Sequence, residues 1–412
     1  MPTATKRKAC AICQTPDPEM VMALPATPLC DDYVAPERVG EPQDSYPLDL
    51  YFCDNCGLLQ LLDIVDPKAV YADYLYETSA SLGLEQHFQQ YADDILSNLG
   101  IPGGRLVIDI GCNDGTLLKC FRHMGMRVLG VEPARAIAQK VQSSGIEVIP
   151  EFFSCKLAKK IRQQHGPAAI VAANNVMANV LDLHDFVRGV AHLLDEDGVF
   201  VFETGYGVDV VREHLVDTIY HEHLYYLNTI SLCHLFQQHG LELINIERNS
   251  SKGGSLRGVA QVAGGPRTIS PAVAERENLE ISLGFDSAQV YKNHAGQIEG
   301  LRTELRALLE EIRSKGKTVA VYGASAGVTT LLYFFGIGSD VEYLLDDNPA
   351  RHGLLSPGYH IPVKPSDEIY ARNPDYVLIL AWRYAETISN RHTKYSQQGG
   401  RFIVPLPGVR VI

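Results

Sequence analysis

Within Thr218-Ile-Tyr-His-Glu-His-Leu-Tyr-Tyr226 the chain gathers two histidines, a glutamate and three tyrosines. Histidine titrates nearest neutrality, and an adjacent carboxylate can orient an imidazole and stabilise its charged form. Tyr220, Glu222 and His223 are therefore candidate catalytic residues, with His223 the first choice of base and His221 or Tyr220 the alternatives. A hydrogen-bonded structural network, or a metal held by His221 and His223, would use the same residue types. The HExxH spacing of a helical zinc site is missing. Acid–base chemistry accounts for the cluster best.

Upstream, Val107-Ile-Asp-Ile-Gly-Cys-Asn-Asp-Gly115 reads as a strand running into a glycine turn. It lacks the GxGxxG of a dinucleotide fold, because Asn113 stands where the second glycine would be. An acid at a strand end just before a glycine turn is more typical of an S-adenosylmethionine site, whose ligand carries a sulfonium and no pyrophosphate. Glu132, at the end of the next strand, is placed to accept hydrogen bonds from both ribose hydroxyls, a feature shared with NAD sites. Asp109, Gly111, Asn113, Asp114, Gly115 and Glu132 form the candidate cofactor set. Beside the acid–base segment, they suggest transfer of a group from a nucleotide-like cofactor to an acidic carbon.

Cys10-Ala-Ile-Cys13 and Cys53-Asp-Asn-Cys56 are two CxxC knuckles in a proline-rich segment. Two-residue spacing lets both sulfurs of a knuckle face one ion, so the four thiolates fit a closed, structural zinc site. A CxxC redox pair is the alternative, but such enzymes carry one knuckle near a βαβ unit. The other five cysteines have no such spacing and read as packing residues or bystanders.

The elements that must position these groups are α/β. Leu106–Ile110 is a short buried strand, a helix opens at Thr116, and Arg127–Val131 is the next strand. Runs at 169–172, 198–202 and 243–246 continue the pattern, with helical periodicity over 185–194. A polar stretch near 275–315 carries Val290, Ile298, Leu301, Leu305, Leu308 and Ile312 at helical spacing, as one or two linking helices. A second strand–glycine turn–helix unit follows at Thr318–Gly327, with strands at 341–346 and 376–380. Its turn at Gly323 offers backbone N–H groups to a phosphate near a helix N-terminus. Asp346 and Asp347 keep NAD binding open there. The 412 residues exceed one typical core. Two or three domains are expected, with boundaries at 1–72 for the cysteine-bearing module, 73–270 for the first α/β unit, and 271–412 for the linking helices and the second α/β unit.

A net charge of −13 argues against nucleic acid or an anionic membrane as partner. No apolar run reaches the roughly 20 residues of a membrane span. The first residues have no apolar core of a secretory signal, and nine cysteines are an odd number for a disulfide scaffold. A monomeric cytoplasmic protein is expected.

The ordered set of the two CxxC pairs, Tyr74-Leu-Tyr-Glu-Thr-Ser-Ala-Ser81, Asp109–Leu118, Gly130-Val-Glu-Pro-Ala134, Asn175-Val-Met-Ala-Asn179 and Asp217–Leu224 resembles the zinc-containing sugar-nucleotide C-methyltransferases. Gly253-Gly-Ser-Leu-Arg257, Asp346-Asp-Asn-Pro349 and Ser356–Pro362 extend the resemblance over nearly the whole chain. It implies an N-terminal zinc module, a central class I methyltransferase domain, and a C-terminal Rossmann-like domain that helps to hold a nucleotide sugar. It also implies S-adenosylmethionine-dependent methylation at C-3 of a TDP-4-keto-deoxysugar, with the sugar between domains. Asn175 joins the cofactor set on this basis, and Tyr74, Tyr76, Lys252, Gly323 and Asp347 form the candidate substrate set. Three positions depart from the family pattern. Gly327 replaces a lysine, and Asn179 and Lys252 each replace a histidine. The same build acting on oxygen or on a non-sugar acceptor, or an inactive zinc-stapled binding protein, are the alternatives.

Overall fold

The structure, a computed structural model, describes residues 4–66 and 83–412. Tyr74 and Tyr76 lie outside the described residues. The central unit is a seven-stranded sheet. Its spatial order is Leu241–Asn249, Ser255–Val262, Leu194–Gly205, Ala168–Asn174, Leu106–Ile110, Arg127–Val131 and Val148–Ile149. The last five run parallel, and Ser255–Val262 runs antiparallel to both its neighbours. Successive strand residues point to opposite faces. Val107, Ile170 and Val201 pack in one core with Phe88 and Tyr91 of the helix Leu84–Leu99. Ile108, Val171 and Phe200 pack in another with Ile161 and Val190, from the helices Cys155–His165 and Leu183–Leu193. Apolar residues on both faces of short strands dictate a doubly wound sheet.

Leu106–Ile110 and Arg127–Val131 occupy the positions read from the sequence. Ser255–Val262 was not anticipated, because Ser255, Arg257 and Gln261 mask its apolar character. Gly258 in this strand leaves room for the ring of Phe202.

The cysteine-bearing segment forms a sheet of Glu19–Met22, Leu50–Cys53 and Leu58–Leu61, completed by Tyr225–Tyr226 from much later in the chain. Tyr225 pairs with Gln60 and Tyr226 with Leu59. Immediately beyond, Asn228 and Ser231 form a capping box on the helix Thr229–Gln237. The buried Glu280 carboxylate accepts Thr229 N–H at 2.9 Å and Ile230 N–H at 3.1 Å, which suits a helix N-terminus. The chain after the acid–base segment is thereby fixed.

Two linking helices, Pro271–Ser282 and Ala288–Ser314, lead to the C-terminal sheet. Ile298, Leu305 and Ile312 are buried as the periodicity predicts, while Val290, Leu301 and Leu308 sit at the core's edge. That sheet orders Val363–Pro365, Leu344–Asp346, Val319–Tyr322, Tyr376–Ile379, Arg401–Val404 and Arg410–Val411. Only the last strand is antiparallel.

Candidate active site

One cavity of about 1410 Å³ reaches from the C-terminal ends of the central strands to the cysteine module and the C-terminal domain. Open α/β sheets bind ligands at this end of their parallel strands. Asp109, Gly111, Asn113, Glu132 and Asn175 all line it. Gly111 holds φ 70°, and an added Cβ would lie 2.5 Å from Val176 Cγ2, so glycine is required on both counts. Glu132 accepts Asn113 N–H at 3.0 Å and Ala134 N–H at 2.9 Å, one bond to each carboxylate oxygen. Its remaining lone pairs suit ribose hydroxyls. Burial raises its pKa, and these two bonds oppose the rise. Asp109 is raised well above the usual carboxylate range by burial and by the charge of Glu132.

Asp114 and Gly115 serve the turn instead of the cavity. Asp114 Oδ1 accepts Thr116 N–H at 3.2 Å and its hydroxyl at 2.6 Å, tying the turn to the start of the helix Thr116–His123. Gly115 faces Val141, where a Cβ would come within 2.8 Å of Cγ1. Sequence reading missed Asn174, Phe152 and Phe153 on the same wall. Asn174 is directed at the buried Tyr91 hydroxyl, whose pKa it lowers against the larger effect of burial. The donors, glycine turn and paired ribose acceptor fit S-adenosylmethionine, which supplies an electrophilic methyl group on its sulfonium.

Tyr220, Glu222 and His223 line the same cavity. His223 Nδ1 donates to Thr218 O at 2.8 Å, so Nε2 keeps its lone pair. Burial lowers His223 to about 4, with Lys252 and Arg383 lowering it further and the Thr218 bond opposing them. The ring is neutral at pH 7, and Tyr220 packs on it with centroids 4.1 Å apart. The Thr218 carbonyl orients the imidazole, whereas Glu222 Oε1 receives the Cys30 thiol at 3.8 Å. Burial and the charge of Asp31 push Glu222 up to about 7. His221 points away: it is buried, donates to Tyr46 O at 3.2 Å, and packs edge-on against the Tyr46 ring. It does not line the cavity. The two histidines share no metal cluster among the described residues.

The far wall was largely invisible to sequence reading. Asp31 and Tyr33 arrive from the loop between the cysteine pairs, and Arg351 and Arg383 from the C-terminal domain. Arg351 pairs with Asp31 at 2.6 Å and lies 4.4 Å from the centroid of the Tyr33 ring. Lys252 also lines the cavity, in a left-handed conformation at φ 52°. Gly323 and Asp347, both expected at the substrate, are off the wall. Asp347 accepts from Tyr322 at 3.0 Å and Ser366 at 2.7 Å, and pairs with Arg391. Asp346 accepts the N–H groups of Ala324 at 2.7 Å and Asn348 at 2.8 Å, so the glycine turn binds its own carboxylate. Ser325 and Ala326, at the start of the helix Ala326–Phe335, line the cavity.

The four sulfurs of Cys10, Cys13, Cys53 and Cys56 lie within 4.8 Å of one another. Cys10 and Cys56 are 3.5 Å apart, and Cys13 and Cys53 3.3 Å. A tetrahedral zinc at about 2.3 Å from each sulfur needs S···S separations of about 3.8 Å, so the cluster fits zinc. Four thiolates leave no open position, which makes the site structural.

The central part of the chain, residues 84–246, matches a methyltransferase domain family. Residues 250–407 match the C-methyltransferase C-terminal domain, and residues 10–71 match a family described as a zinc binding domain. The C-methyltransferase NovU of Streptomyces niveus is 34% identical over 404 residues, covering 98% of this chain and 96% of that one. The ubiquinone biosynthesis O-methyltransferase of Bradyrhizobium diazoefficiens is 28% identical over 109 residues, 26% of this chain and 42% of that one. Among solved structures, magnesium protoporphyrin IX methyltransferase of Synechocystis PCC 6803 with bound S-adenosylmethionine is 16% identical. It covers 47% of this chain and 88% of that one, with a TM-score of 0.33. With a relative similar over almost the whole of both chains, and family matches along the zinc-binding, methyltransferase and C-terminal segments, the chain belongs to the S-adenosylmethionine-dependent C-methyltransferases that carry a zinc-binding domain.

Proposed function

We propose that the acceptor is a 4-keto-deoxysugar nucleotide, probed most directly with a TDP-linked sugar, and that methylation falls on C-3. The observation that carries this reading is His223, with its Nδ1 proton committed to Thr218, lining the same cavity as Asp109, Gly111 and Glu132. A carbon beside a ketone loses a proton because the charge passes to the carbonyl oxygen. His223 Nε2 takes the C-3 proton in this scheme, and Tyr220 donates to the oxygen where charge develops. The enolate carbon then forms its bond to the methyl group as the sulfonium–carbon bond breaks. Glu222, raised to about 7, sits where a substrate hydroxyl or amine would meet it. Lys252, Arg351 and Arg383 supply positive charge to a diphosphate in a chain that is otherwise acidic.

We extend the proposal to a monomeric cytoplasmic enzyme. Nine unpaired cysteines support a reducing compartment. Among the described residues no helix is long and apolar enough to cross a membrane. The test incubates purified protein with S-adenosylmethionine and a TDP-4-keto-deoxyhexose in deuterated water. A product heavier by one methylene, methylated at C-3, is expected, and unreacted sugar should gain deuterium at C-3. Methylation on oxygen, or turnover only of acceptors lacking the ketone, would refute the proposal.

A further inference from the structure

Residues 216–226 carry the acid–base groups, and other domains hold them at both ends. At the far end, Tyr225 and Tyr226 join the cysteine module's sheet, and Leu61 N–H donates to Leu224 O at 2.9 Å. At the near end, the helix Ala326–Phe335 of the C-terminal domain packs directly on the turn Val216–Thr218. Thr330, almost fully buried, donates its hydroxyl to Ile219 O at 2.7 Å. Gly327 lies so close that an added Cβ would overlap Asp217 O and sit 2.9 Å from Asp217 Cβ. Arg383 pairs with Asp217 at 3.0 Å, and its other amine donates to Lys252 O at 3.0 Å.

These contacts grip residues 217 and 219, on either side of Thr218, whose carbonyl sets the tautomer of His223. Peptide units are rigid planes, so a shift at either neighbour moves that carbonyl. We propose that the C-terminal domain positions the base, with Thr330 and Gly327 as positioning residues that act through the Thr218 carbonyl. Neither lines the cavity, so neither touches substrate or cofactor. The same contact bears on the residue type at 327: any side chain there meets the Asp217 backbone, and this turn must shift to admit it.

The proposal rests on His223 as the base, and the experiment separates the two. Full-length protein labelled with ¹⁵N-histidine reports the His223 tautomer without any substrate. Wild type should show the Nδ1–H form. Thr330→Val and Gly327→Ala should shift it toward a mixture while S-adenosylmethionine affinity, the control for folding, stays within twofold. Thr330→Ser, which keeps the hydroxyl, should restore the wild-type signal. Turnover of a TDP-4-keto-deoxyhexose should fall about 10- to 100-fold in the first two variants, in kcat more than in KM. If Thr330→Val no longer binds the cofactor, Gly327→Ala, which perturbs the other contact, decides the question. An unchanged His223 signal in the folded variants overturns the clamp. A changed signal with unchanged turnover upholds the clamp and counts against His223 as the base.

Discussion

Glu132 is the residue whose replacement most directly weighs the cofactor site. Each of its oxygens already accepts one backbone N–H, from Asn113 or Ala134, so the carboxylate is fixed before any ligand arrives. Preorganisation of this kind means that little of the gain from the ribose hydroxyls is spent on ordering the side chain. Hydrogen bonds to a charged acceptor contribute about 1.5–3 kcal/mol net. Glu132→Ala should therefore weaken S-adenosylmethionine about 10- to 100-fold, at about 1.4 kcal/mol per tenfold. Glu132→Gln should fall between, because its NH₂ group opposes one of the two backbone donors. Stability should not follow affinity. Burial raises the pKa of Glu132, so its ionised form costs stability at neutral pH. Removing the charge offsets part of the lost N–H bond, and the cofactor-free Gln variant should stay within about 1 kcal/mol of wild type. Calorimetric titration with S-adenosylmethionine, alongside denaturant unfolding without it, reads both quantities. The ribose assignment is refuted by Ala-variant affinity within twofold of wild type, or by affinity lost only in proportion to unfolding.

His223→Asn should lower turnover about 10²- to 10⁴-fold while both ligands still bind, and C-3 deuterium exchange should fall with it; near-normal exchange would pass the role to Tyr220 or Glu222. Cys53→Ser should lose zinc, measured by metal analysis, and loosen the module whose strand Leu58–Leu61 pairs with Tyr225–Tyr226, so activity should fall more than cofactor affinity. One zinc per chain with unaltered melting would rule out the four-cysteine site. His214 and His294 stack with centroids 5.1 Å apart and Nδ1 atoms 3.2 Å apart, so both cannot carry protons comfortably. Burial lowers both, His294 to about 3 with His214 contributing, while Glu213 acts in the opposite sense on His214. A depressed folded pKa means that the unfolded chain binds more protons, so stability is present above about pH 6.5 and is lost as pH falls below it. His294→Leu should remove about one proton from the slope of unfolding free energy against pH between about 6 and 4, and an unchanged slope would contradict the assignment.

What the sequence determined by itself is local. Two cysteines three positions apart must face one ion, and a buried run ending in Asp109 and Gly111 must turn at the sheet's edge. Alternating strand and helix periods must fold as a doubly wound sheet, since each period leaves only one way to bury its apolar groups. The glycine turn at the sheet's edge and the four-cysteine cluster were legible for that reason. Tertiary structure decided which members of the segment line the cavity. His221 and His223 are two positions apart in a turn with no regular period, so nothing local says that one faces Tyr46 and the other the cavity. Asp31, Arg351 and Arg383 reach the cavity only because three domains converge there. Asp114, Gly115, Gly323 and Asp347 sit in motifs that often touch ligands, yet here the Thr116 hydroxyl and N–H, Val141, the Leu345 carbonyl and Arg391 meet them. A motif specifies the donors and acceptors that a turn can present, and packing decides whether a ligand or the protein itself satisfies them.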